Sequence, residues 1–70
     1  MEIDVFYNNV QGLPYILTFK STREALSYAK RAVRKNSETV KKIRWIGRDS
    51  SMHYTPVSDW YDAISVLQTL

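Results

Sequence analysis

No cysteine occurs in the 70 residues, and that absence excludes disulfides, thiolate metal sites and cysteine nucleophiles together. Small secreted domains usually depend on disulfides, so the expected location is the cytoplasm, of the source cell or of a host cell. No run approaches the ~20 apolar residues that cross a bilayer, and the acidic start MEID is unlike a signal peptide, so no membrane role is expected. Glycine is scarce: Gly12 and Gly47 stand alone, and neither opens a phosphate-cradling G-x-x-x-x-G-K or G-x-G-x-x-G run. Histidine occurs once, at His53, so a cluster of imidazole metal ligands cannot form. These absences argue against a metal centre, a bound cofactor and a nucleotide-dependent enzyme.

What is present is apolar and aromatic. Hydrophobic residues make up 44% of the chain, enough for one packed core, and the length leaves no room for a second domain, so residues 1–70 are expected to form one. Starting at Met, the chain has the look of a complete small gene product. Without cross-links, stability must come from Trp45, Trp60, five tyrosines and two phenylalanines.

The net charge of +3 hides a sharp division. Residues 1–19 carry only Glu2 and Asp4. Residues 20–48 carry all ten cations against Glu24 and Glu38, a net +8. Residues 49–70 carry Asp49, Asp59 and Asp62. Such asymmetry points to a partner unless short-range acid–base pairing within the fold cancels it.

Hydrophobic periodicity gives the elements. MEIDVFY alternates with period two, placing Met1, Ile3, Val5 and Tyr7 on one face and Glu2, Asp4 and Phe6 on the other. NNVQGLP is rich in turn formers, and YILTFK resumes the alternation with Tyr15, Leu17 and Phe19 inward, so an antiparallel hairpin is expected. In STREALSYAKRAVRKN, Ser21 and Glu24 form a capping box, and Ala25, Leu26, Ala29, Ala32 and Val33 recur at helical spacing; Asn36 and Ser37 are suited to ending the helix. VKKIRWIG reads as a third strand, with Ile43 and Trp45 inward and Lys42, Arg44, Ile46 and Arg48 outward. MHYT reads as a short fourth strand. A last helix runs from Pro56 or Ser58 to Leu70, with Val57, Trp60, Tyr61, Ala63, Ile64, Val66 and Leu67 forming a broad apolar face. The expected fold is α+β, ββαβ(β)α: an antiparallel sheet of three or four strands with both helices on one face.

The chain also echoes itself. Phe19, Ser21, Glu24, Ala25, Leu26 and Ser27 match Val57, Asp59, Asp62, Ala63, Ile64 and Ser65 at an offset of 38 positions (Glu24 to Asp62). Every strand-to-helix junction needs a cap, an acid at its third position and an apolar pair, so convergence accounts for the match, which singles out Asp59 as the second cap.

Catalytic chemistry has little to stand on. Asp49, Ser50, Ser51 and His53 sit close in sequence, but a Ser–His–Asp triad is made by tertiary geometry, and so small a fold leaves little volume for a pocket. No catalytic residue is assigned.

Surface recognition remains. Lys30, Arg31, Arg34 and Lys35 gather at the end of the first helix, and Lys41, Lys42, Arg44 and Arg48 follow on the third strand. If the strand starts beside the helix end, these eight form one basic edge. Phe6, Ile16 and Ile46 occupy outward positions where a self-sufficient monomer would be polar. The expected function is a small non-enzymatic binding module, a regulator or inhibitor that contacts the acidic surface of a larger protein through the basic edge and outer sheet face. Accessory proteins of phages and mobile elements share this size and composition. Direct nucleic-acid binding through the same cations is the alternative, with Trp45 and Tyr54 available for stacking, and homodimerisation through the same surface is the third possibility.

Overall fold

The computed structural model describes residues 2–35 and 39–70. Six elements follow in the order β1 (Ile3–Asn8), β2 (Pro14–Phe19), α1 (Thr22–Lys35), β3 (Thr39–Ile46), β4 (Met52–Pro56) and α2 (Trp60–Thr69). The strands form one antiparallel sheet in the order β2-β1-β3-β4. Ile3, Val5, Val40 and Ile43 on one sheet face share a single core with Ala25, Ala29 and Ala32 of α1 and Trp60, Ala63 and Leu67 of α2. The α+β expectation, with four strands and both helices on one face, is therefore met. Met1, Asn36 and Ser37 lie outside the described residues.

Alternation sets the buried face of β1, as the sequence implies, but on the edge strand β2 only Phe19 of the three expected inward residues packs on the core, and Tyr15 is about half exposed. Tyr7, Phe19, Leu26, Tyr28, Val33, Trp45, Ile64, Val66 and Leu70 close the rim of the core. An aromatic chain runs through it, from Phe19 to Tyr28 (5.6 Å between ring centroids), on to Trp60 (5.7 Å) and then Tyr7 (6.4 Å). Trp60 is the buried tryptophan, whereas Trp45 is half-buried at the end of its strand and stacks on His53 at 5.7 Å. Tyr61, assigned to the apolar face from the sequence, points into water. Apolar residues cover most of the circumference of α2, and full burial falls only on the stripe of Trp60, Ala63 and Leu67, leaving Tyr61 about 100° from Trp60. The helix starts at Trp60, not at Pro56 or Ser58, and Val57 is buried ahead of it.

The 38-residue echo reaches well beyond the strand-to-helix junction. Adding 38 to both members of a β1–β2 pair gives the β3–β4 pair: Phe6–Ile16 becomes Arg44–Tyr54, and Asp4–Thr18 becomes Lys42–Pro56. The loops agree as well. Asn9 N–H donates to Leu13 O and Gly12 N–H to Asn9 O; Gly47 N–H donates to Ser51 O and Ser50 N–H to Gly47 O. The left-handed residue falls at the same place in each loop, Gly12 at φ +81° and Ser50 at φ +65°. In the caps, the Glu24 N–H donates to Ser21 Oγ and the Asp62 N–H to Asp59 Oδ1, while the Glu24 and Asp62 carboxylates accept from the N–H groups of Lys20 and Ser58. Capping chemistry alone does not require matching loops and registers. The chain is two structurally equivalent ββα units, related by an approximate twofold axis through the central Val5–Ile43 pair. This replaces the junction-only account of the echo.

One irregularity breaks the symmetry. Phe6 pairs with Lys42, but Tyr7 pairs with Val40, so Lys41 is the extra residue of a β-bulge. The bulge explains how Val40 and Ile43, three apart, are both fully buried on one face. An unbroken strand would turn one of them outward.

The two loops make the same left-handed demand at equivalent positions and fill it with different residues. Nothing lies within 4 Å of a Cβ built on Gly12, so replacing it tests backbone conformation alone. Gly12→Ala should lower stability by about 1 kcal/mol through the left-handed penalty, whereas Ser50→Gly should hold or raise it, the penalty relieved being offset by glycine's greater unfolded entropy. Urea denaturation midpoints of the two variants check both signs.

Candidate functional site: the open face of the sheet

With both helices on one side, the opposite face of the sheet is open. The register lays its side chains out in cross-strand rows. One row runs Thr18, Asp4, Arg44, Tyr54, and the next runs Ile16, Phe6, Lys42, Pro56; Ile46 and Met52 pair beyond the first row.

Asp4 organises the first row. Arg44 donates from Nε (3.0 Å) and Nη2 (2.7 Å) to Asp4 Oδ2, and the Thr18 hydroxyl donates to Oδ1 (2.8 Å). The pair is partly solvated, so its worth is at most about 1 kcal/mol. Its effect is positional: it holds the Arg44 guanidinium 4.8 Å from the centroid of Phe6. Lys42 approaches the same ring at 4.6 Å and that of Tyr54 at 5.8 Å, both within cation–π range. Phe6 is thus half-buried beneath two cations, while Ile16 (54% exposed), Ile46 (45%), Met52 (59%) and Tyr54 (68%) stand in water around them.

The eight cations singled out in the sequence do not form one edge. Lys41, Lys42 and Arg44 lie on or beside the open face. Lys30, Arg31, Arg34 and Lys35 are exposed on α1, on the other side of the sheet and one helix thickness, roughly 10 Å, away. Arg48 sits in the β3–β4 loop, roughly 20 Å along the strand from Lys41. Only α1's last turn and the start of β3 share an end of the molecule. Among the described residues Arg44 alone of the eight has a carboxylate within 4 Å, so direct pairing does not cancel the positive charge.

The sequence places Phe6, Ile16, Ile46, Lys42 and Arg44 on this face and names Lys41 and Tyr54 as contact residues without assigning them to it; Met52 it misses. Met52 and Tyr54 follow from MHYT once that strand is paired, since each then sits opposite an outward residue of β3. The signal for Lys41 was present too: two lysines between Val40 and Ile43 fit neither strand alternation nor a turn, and a bulge resolves them. The bulge, together with Phe6, Tyr7, Asn8, Pro14, Tyr15, Ile16 and Lys42, lines an open hollow of about 540 Å³.

The Asp49–Ser51–His53 group does assemble, in the β3–β4 loop. Ser51 Oγ donates to Asp49 Oδ1 at 2.6 Å, and His53 Nε2 lies 3.0 Å from Ser51 Oγ and 3.8 Å from Asp49 Oδ1. A catalytic triad needs the imidazole between hydroxyl and carboxylate, so that it can take the hydroxyl proton. Here the hydroxyl lies between them and donates its one proton to Asp49, so the order of a triad is not formed. All three residues are exposed. The group is a loop clasp: Asp49 also accepts the Ser51 backbone N–H at 3.1 Å, and Gly47 lets His53 close over the turn, because a Cβ there would lie 2.8 Å from the ring.

The two Ser51 donors, chiefly the hydroxyl, hold the Asp49 carboxyl below its ordinary range, with a smaller contribution from His53. A lowered folded-state value means the clasp stabilises the loop above the unfolded aspartate range of about 4, and this is lost as pH falls through the lower folded value. Titration of the Asp49 carboxyl carbon by NMR should give a midpoint below that of an unstructured aspartate, and Ser51→Ala should raise it. Comparison with protein-family models, with curated proteins and with solved structures finds no match for this chain.

Proposed function

We propose that the protein is a non-enzymatic binding module that regulates or inhibits a larger protein by laying the open sheet face on an acidic, partly apolar surface. The observation that carries this reading is the confinement of both helices to one side, which leaves Ile16, Ile46, Met52 and Tyr54 exposed around Lys41 and Lys42. Apolar groups clustered on one face and interleaved with cations have the composition of an interaction surface. Lys41 and Lys42 have no carboxylate partner among the described residues, so charge favours an acidic partner. The cations of α1 lie off this face and act at longer range, raising the encounter rate with an acidic partner in a salt-dependent way. The regulatory role rests on size and composition, which match those of small accessory proteins of phages and mobile elements, and the cytoplasmic assignment rests on the lack of cysteine. Among the described residues no helix is long and apolar enough to cross a membrane.

Tyr54 favours a second reading. It is exposed on a four-stranded sheet with Lys42 beside it, an arrangement on which an unpaired base can stack. Two measurements separate the readings. In affinity capture from a lysate of the source or host cell, a specific protein retained by the wild type should be lost with Lys41→Glu/Lys42→Glu and kept with Arg31→Glu/Arg34→Glu; retention by the first variant overturns the assignment to this face. In fluorescence anisotropy, micromolar binding of generic single-stranded DNA that falls steeply with salt would instead establish the nucleic-acid reading.

A further inference from the structure

The hollow beside the bulge narrows what the open face can hold. Its outward side chains are Phe6, Asn8, Pro14 and Ile16 from the β1–β2 hairpin, and Lys41 and Lys42 stand together at its β3 side. Successive residues of a regular strand point to opposite faces, so two adjacent lysines would be divided between core and solvent. Because Val40 and Ile43 are both buried inward, the bulge turns both lysines toward the open side. The result is an apolar lining of Phe6, Pro14 and Ile16, with the Lys42 ammonium over the Phe6 ring and Lys41 beside it on β3. Neither ammonium has a carboxylate partner among the described residues. At about 540 Å³ the hollow is within the size range of sites that receive a small group.

We infer that the hollow seats one apolar side chain, of leucine to phenylalanine size, from an acidic segment of the partner, whose neighbouring carboxylates reach Lys41 and Lys42. This rests on the reading of the open face as a surface for an acidic protein, and it names the anchor. The chemistry of the lining favours a side chain over a base. Ile16 is half-exposed and Pro14 exposed, so an apolar group completes their burial. A base would press its edge donors and acceptors onto Pro14 and Ile16, which have no partner for them.

The test uses three fluorescein-labelled probes at low ionic strength: a peptide with three glutamates on each side of one phenylalanine, the same peptide with serine at the centre, and an oligothymidylate of equal charge. Fluorescence anisotropy should show the phenylalanine peptide binding about tenfold more tightly than the serine peptide, the ratio expected for burying most of one aromatic side chain. Ile16→Ser, at a half-exposed strand position and with its fold checked by circular dichroism, should remove that ratio while leaving serine-peptide binding in place. Lys41→Gln/Lys42→Gln should weaken both peptides together. Equal binding of the two peptides overturns the anchor and leaves an electrostatic acidic-protein surface standing. Failure of both peptides to bind overturns the anchor and the surface reading together. Tighter binding of oligothymidylate than of the phenylalanine peptide assigns the face to nucleic acid and overturns the anchor.

Discussion

Val5 and Ile43 face each other across the two central strands, both fully buried, and the placement of every other element depends on that contact. Because β1 and β3 are antiparallel, each hairpin extends the sheet outward in the opposite direction, and each helix returns across the same inner face. Two ββα units can share one core only in this way. Neither hairpin has a second apolar face to bury, and an isolated two-stranded hairpin is marginal in water. Joining the units at β1 and β3 gives a four-stranded sheet whose inner face both helices cover. Small side chains on the helices, Ala25, Ala29 and Ala32 on one and Ala63 on the other, allow them to fit side by side over it.

The same arrangement creates the open face. One-sided coverage is what four strands and two short helices can provide, and it commits every outward residue of the sheet to solvent or to a partner. The face is only partly adapted to solvent. Asp4, Arg44, Lys42 and Phe6 satisfy one another through an ion pair and cation–π contacts, and their mutual arrangement needs no ligand. Ile16, Ile46, Met52 and Tyr54 surround that self-contained centre without being covered by it. The bulge belongs to the same balance. It keeps Val40 and Ile43 in the core by removing one residue from the register, and the residue displaced is a lysine delivered to the open side.

The parts of this fold that could be read from the sequence are those governed by local rules. Alternation located the strands, the Ser21–Glu24 and Asp59–Asp62 caps located the helix starts, and NNVQGLP located the first turn, because each signal lies within a few residues of what it determines. Non-local register was less accessible. Asp4 and Arg44 are forty positions apart, and nothing in either segment states that they will be opposite each other. The division of the basic residues between two layers and a distant loop has the same origin: sequence proximity put eight cations together, and the path of the chain separated them. Repetition was visible at the junctions, where capping residues are nearly obligatory. It was hidden in the loops, where NNVQGL and IGRDSS share a backbone path without sharing residues.

That divergence bears on which surface is specialised. At the centre of the shared core the two units keep equivalent positions apolar, Val5 with Ile43 and Ala25 with Ala63, whereas toward the edges Tyr15 corresponds to His53 and Leu17 to Thr55. Their equivalent outward positions differ in kind: Asp4 corresponds to Lys42, Phe6 to Arg44, Ile16 to Tyr54 and Thr18 to Pro56. An approximate dyad that relates an acid to a base and a ring to a guanidinium makes the face complementary to itself within one chain, as the Asp4–Arg44 and Lys42–Phe6 contacts show. These contacts occupy the centre of the face. What remains available for recognition is asymmetric, with the bulge and Lys41 at one end and the exposed Ile46, Met52 and Tyr54 toward the other. A partner bound there would meet one defined orientation of the module, because the symmetry that builds the core is absent from the surface.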